Sequence, residues 1–184
     1  MKYLFLIAVA LFFSIISSCG NQAKYTSQVT SLDSLRIELD KKLAVFSAID
    51  TAKIGRYVKT YEGNVSWIEQ NIKDTVSVDY LNALKNYRGV NEPLEFIRHN
   101  YSAMIKDAEY SKEQLNKLSA DMKNSVIDEE KAYEYYTIEK LEAQKIMDAL
   151  TVNHELSKNS IDTFDKYNNE IEKLINKYKS ESGK

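Results

Sequence analysis

Pro93 is the only proline in the chain, and only five glycines accompany it. With so few backbone breaks, a periodic pattern once started can run for many turns. The pattern here is helical. Leu32, Leu35, Leu39, Leu43, Phe46, Ile54, Tyr57, Tyr61, Val65, Ile68 and Ile72 recur at spacings dominated by three and four, the period of one helix face. Unbroken, this stripe predicts a helix over about 28–73, with Gly55, Gly63 and Asn64 as its weak points.

The punctuation that does exist divides the rest. Asp74 to Ser77 reads as a turn and cap, leading into a short helix through Leu81, Leu84 and Tyr87. In Arg88-Gly89-Val90-Asn91-Glu92-Pro93, Gly89 suits a helix C-cap, Asn91 an N-cap and Pro93 the first turn of the next helix. That helix carries Leu94, Ile97, Tyr101, Met104, Ile105, Ala108, Leu115, Leu118 and Met122, with a kink expected near Ser111. Ser125 and Asp128 read as a capping-box variant in a tight reversal. The last helix is expected from about Ile127 to Lys179, ending in a heptad-like stripe of Phe164, Tyr167, Ile171, Leu174 and Tyr178. Short connections imply antiparallel neighbours. The expected fold is therefore all-α: an elongated antiparallel helical bundle or coiled coil of three long helices plus one short helix.

The N-terminus carries a different signal. Met1-Lys2 is a basic start, Tyr3 to Ile16 is apolar except for Ser14, and Ser17-Ser18 precede Cys19, the only cysteine. An apolar run this short falls below the roughly 20 residues needed to span a bilayer, and its layout is that of a secretory signal. Ile16-Ser17-Ser18-Cys19-Gly20 resembles the lipobox of bacterial lipoproteins. The resemblance implies cleavage before Cys19, acylation (palmitate among the chains) of that residue, and membrane attachment through it. Gly20 is not the aspartate associated with inner-membrane retention, so the same resemblance implies the outer membrane, and the absence of an acidic cluster over Gly20-Asn21-Gln22-Ala23-Lys24 implies the periplasmic side. The organisation expected is a signal peptide over 1–18, a tether over 19–27 and a helical bundle domain over 28–184. With its Lys- and Asn-rich composition, the mature chain is similar to helical envelope lipoproteins of the Bacteroidota type.

Chemistry-bearing motifs are sparse. There is no Gly-rich phosphate loop, zinc-protease helix, Cys-x-x-Cys pair or Gly-x-Ser-x-Gly elbow. His99 lies one turn after Glu95 and reads as a surface pair, since a metal needs three or four converging ligands. The Glu-x-x-His spacing of di-iron bundles is absent, because Phe96 and Thr151 stand three residues before His99 and His154. With 25 basic against 27 acidic residues, nothing favours nucleic acid as a partner. Neither a catalytic residue, a metal nor a cofactor is expected.

What remains is surface. On the last helix, Ile127, Ile138, Ala149, Val152 and Leu156 fall within about 40° of Ile138 at 100° per residue and are expected to form the bundle seam. Tyr133, Tyr136, Ala143, Met147, Leu150 and His154 fall on roughly the opposite side. Tyr133, Tyr136, Met147, Leu150 and His154 are thus the candidate interaction face, to be covered by the chain itself, by a protein partner or by a second copy. The expected function is a lipid-anchored structural or protein-interaction module; the alternative is a periplasmic holdase-like or small-ligand-binding bundle.

Overall fold

The computed structural model describes residues 24–73 and 77–181. Regular structure there is entirely helical: α1 Thr26–Ser47, α2 Thr51–Asn71, α3 Val78–Arg88, α4 Asn91–Lys123 and α5 Glu129–Glu181. The protein is an all-α bundle. The expected signal peptide, Cys19, the first residues of the expected tether and Asp74 to Val76 of the expected turn lie outside the described residues.

The stripe expected as one long helix is two. α1 stops at Ser47, where the Ala48 and Ile49 N–H groups bond back three residues to the Val45 and Phe46 carbonyls, a tightening common in a last turn. The Asp50 carboxylate then accepts the Lys53 N–H at 2.8 Å and caps α2. Gly55 and Gly63, the expected weak points, sit inside α2 in open space. α1 also starts early, at Thr26, because Tyr25 is buried and its carbonyl accepts the Val29 N–H. α4 is continuous through Ser111, which is buried.

The turns show which residues set the ends. Gly89 keeps a right-handed φ of −69°, and its N–H bonds the Lys85 and Asn86 carbonyls. The cap of α4 falls on Val90, whose carbonyl accepts the Leu94 N–H, so Asn91 is the first helical residue rather than the N-cap. Pro93 lies in the first turn as expected, where its missing N–H costs nothing. After α4, the Val126 N–H bonds the Asp121 carbonyl and the Ser125 N–H bonds the Met122 carbonyl, with Ser125 left-handed at φ 53°. That pair of bonds is a Schellman motif. Ser125 thus closes α4, while Asp128 alone caps α5 by accepting the Lys131 N–H at 3.0 Å.

The chain forms two compact units: one runs through Leu43 and resumes over Lys106–Asp148, the other takes Ala44–Ile105 and the chain from Ala149. In the first unit, buried residues repeat every seven positions: Tyr25 just before α1 with Leu32 and Leu39 on it, and Ala108, Leu115 and Met122 on α4. That is a coiled-coil spacing, and polar pairs fix its register. Asp33 meets Ser119 and Asp40 meets Lys112, seven residues forward on α1 and seven back on α4, so these helices are antiparallel. Lys24 meets Glu129 and Ser31 meets Tyr136, seven forward on both, so α1 and α5 are parallel.

The second unit centres on Ile54, Val58, Ile68, Ala83, Tyr87, Val90, Leu94, Ile97, Phe164, Ile171 and Ile175. Tyr87 has no solvent exposure and tilts against Phe164 and Tyr61 at ring-centroid distances of 5.4 and 5.2 Å. Tyr57 stacks on Phe164 at 4.0 Å. Each such aromatic pair adds about 0.5–1.5 kcal/mol beyond the area it buries.

Candidate functional site

The expected interaction face on α5 divides between buried and exposed residues. Met147 and Leu150 are buried, as is Ala143 beside them in the pattern. Tyr136 is half-buried, and its hydroxyl hydrogen-bonds the Ser31 hydroxyl at 3.0 Å. His154 is half-buried, and its Nδ1 has no hydrogen-bond partner among the described residues. Tyr133 alone stands out, at 66% exposure. Conversely, four residues of the expected seam are exposed: Ile138 at 47%, Ala149, Val152 at 61% and Leu156. The two faces were inverted, and the buried one is the face that continues the heptad of the helix tail. Stepping back by sevens from Phe164 gives Ser157, Leu150, Ala143 and Tyr136, all buried or half-buried.

The surface that gathers polar and apolar groups most closely is the end of the first unit where α1 and α5 begin and α4 ends. Lys24 Nζ lies 2.7 Å from Glu129 Oε2 and 5.6 Å from the Tyr25 ring centroid. The Glu129 hydrogen bond holds the Lys24 amine above its ordinary pKa. A groove of about 300 Å³ runs between Lys24, Tyr25, Gln28, Glu129, Glu130 and Tyr133. A second of the same size, lined by Tyr25, Thr26, Val29, Thr30, Met122 and Lys123, opens on the other side of Tyr25. Behind them Asp33 accepts from Ser119 Oγ and Lys123 Nζ, each at 3.1 Å. Burial pushes the Asp33 carboxyl up, but those two hydrogen bonds outweigh it and leave its pKa below the ordinary value. At the rim of the turn, Val126 is 74% exposed. Sequence reasoning missed this end, although the Ser125-Val126 step, an apolar residue inside a polar reversal, was visible.

The second unit carries a polar network of a different kind. The Tyr87 hydroxyl donates to Asn168 Oδ1 at 2.8 Å and accepts from Asn64 Nδ2 at 3.1 Å, while Asn64 also reaches Asn168 and Asn168 donates on to Glu172. Burial raises the Tyr87 pKa to about 12, so its phenol stays neutral and its role is to hold helices in register. Tyr57 donates to Asp165, which also pairs with Lys53 at 3.3 Å. The Glu95–His99 pair is on the surface, at 3.1 Å, and shares its carboxylate with Arg98.

Among the described residues no group of three or more His, Cys, Asp or Glu could hold a metal ion, and no helix is long and apolar enough to cross a membrane. No family model, curated protein or solved structure matches the chain.

Proposed function

We propose that this is a lipid-anchored cell-envelope protein, held through acylated Cys19 at the periplasmic side of the outer membrane, and that its helical units act as a structural and protein-interaction module rather than as an enzyme. The anchor rests on the order of basic start, apolar run, small residues and cysteine over Met1 to Cys19. The observation that carries the interaction role is an exposed apolar row on α5, formed by Tyr135, Ile138 at 47% and Leu141 at 55%. A helix whose buried face holds Ala143 and Met147 has no packing need for apolar side chains on this second face.

Two measurements test the reading separately. Cys19→Ala should abolish acylation and leave a precursor outside the outer-membrane fraction; a normally processed, normally located variant refutes the anchor. Ile138→Glu with Leu141→Glu should keep the helical circular dichroism and melting temperature, since both residues are about half in solvent. Its in-cell crosslinks, to a partner or to a second copy, should disappear. Crosslinks unchanged from the parent refute the interaction row.

A further inference from the structure

Whatever holds Cys19 at a membrane also limits how far the first unit can stand from it. Lys24 lies five residue steps after Cys19, with four residues between them, and a fully extended chain covers at most about 3.3–3.6 Å per step. Lys24 therefore stays within about 18 Å of the anchored cysteine. The structure puts the α4–α5 turn at the same level. Lys24 pairs with Glu129 at 2.7 Å, and the groove beside that pair takes in Tyr133, one turn into α5. From this geometry we infer that the α4–α5 turn is a lipid-contact surface, with Val126 and Tyr133 seated in the headgroup layer of the membrane that carries Cys19. The inference rests on the anchoring reading of Cys19.

The chemistry of the turn suits that occupant. In a Schellman motif the residue in the position of Val126 commonly packs its apolar side chain back on the helix it follows. Val126 instead is 74% exposed, and Tyr133 is 66% exposed. Aliphatic side chains favour the acyl boundary, and a tyrosine ring with its hydroxyl outward favours the interface just above it. Lys123 and Lys131 flank them, with their ammonium groups paired to Asp33 and Asp128 and their apolar stems exposed along the surface. Two of the nearby carboxylates are engaged, Asp128 in capping α5 and pairing with Lys131, and Glu129 in pairing with Lys24, while Glu130 on the groove is exposed. One valine and one tyrosine are too little apolar surface to bind a bilayer alone. Their effect is orientational: with the acyl chains fixing Cys19, the turn fixes which end of the first unit faces the lipid.

The test uses the acylated full-length protein in vesicles of phosphatidylethanolamine and phosphatidylglycerol containing brominated lipid. Trp67, the only tryptophan, is replaced by Phe, and a single reporter is introduced as Tyr133→Trp or, about 25 Å along α1 from Lys24 at 1.5 Å per residue, as Lys41→Trp. Emission from the Tyr133→Trp protein should shift to the blue and lose most of its intensity to the bromines, while the Lys41→Trp protein keeps its intensity. Adding Val126→Asp, a change at an exposed side chain, should restore most of the quenched emission. Equal quenching at the two positions, or none at either, overturns the inference. So does a blue shift that needs only a higher protein concentration and no lipid, which assigns the surface to a second copy. Mass spectrometry of Cys19 in the same sample separates the two readings. Acylated protein with unquenched emission removes the lipid contact alone, whereas an unmodified Cys19 removes the anchor and the contact together.

Discussion

Replacing Tyr87 by Phe removes one oxygen from the centre of the second unit and leaves the ring in place. The parent hydroxyl makes two hydrogen bonds there, to Asn168 at 2.8 Å and from Asn64 at 3.1 Å. Asn64 and Asn168 keep their own bond at 3.1 Å in the variant. The loss is then about 2 kcal/mol, from two net hydrogen bonds at roughly 1 kcal/mol each. For a chain of this size that lowers the melting temperature by roughly 4–8 °C. The dependence on pH sharpens the test. Folding raises the Tyr87 pKa to about 12 from the ordinary 10. The neutral phenol therefore contributes its full stabilisation below pH 10, and the contribution is lost as pH rises through about 12. Two pH units correspond to about 3 kcal/mol at most, enough to cancel the advantage of the parent. Chemical denaturation at pH 7 and at steps up to pH 12 should show parent and variant about 2 kcal/mol apart at neutral pH and converging at the alkaline end. A gap that does not change between pH 10 and 12, or no gap at pH 7, refutes the network as drawn.

Other consequences are shorter to state. Ser125→Gly relieves a left-handed backbone position and should stabilise the first unit by roughly 0.5–1 kcal/mol after the added chain entropy of glycine, read as a higher unfolding midpoint. Met147→Glu and Leu150→Glu each put a charge at a position no more than 1% exposed; each should cost more than about 4 kcal/mol, and a variant that melts like the parent would return these residues to the surface. Asp33, held below the ordinary carboxylate pKa, stabilises the fold above about pH 4 and loses that effect as pH falls through its lower folded value. Asp33→Asn should therefore flatten the acid limb of the stability profile.

Helix content and most helix ends were legible because they rest on local chemistry. Pro93 could only open a helix, and Asp128 could cap one with its own carboxylate. The break after Ser47 was not read, because nothing at Ala48-Ile49 forbids a helix; the decisive residue is Asp50, which competes for the Lys53 N–H. The inversion on α5 has a more general cause. Two apolar sets on opposite sides of one helix carry the same period, so periodicity alone cannot say which is inside. Size does not decide it either, since Met147 and Leu150 are buried while the smaller Val152 is exposed; the inside is set by which face the neighbouring helices cover, and periodicity does not carry that. The membrane-facing reading of the turn was illegible for another reason, since it needs Lys24 and Glu129 to be neighbours across 105 residues of chain.

That separation also determines how the chain can be divided. The first unit is built from two stretches, and the segment between them, Ala44–Ile105, belongs to the second. Neither unit can be released by a single cut: a chain stopped after Asp148 lacks the α5 half of the second unit, and one started at Ala44 lacks α1 of the first. During synthesis, the N-terminal strip of the first unit must wait more than sixty residues for its partner helix to emerge. Such non-local closure slows folding, and it leaves Leu32 and Leu39 as apolar surface that must be kept from other chains until α4 and α5 arrive.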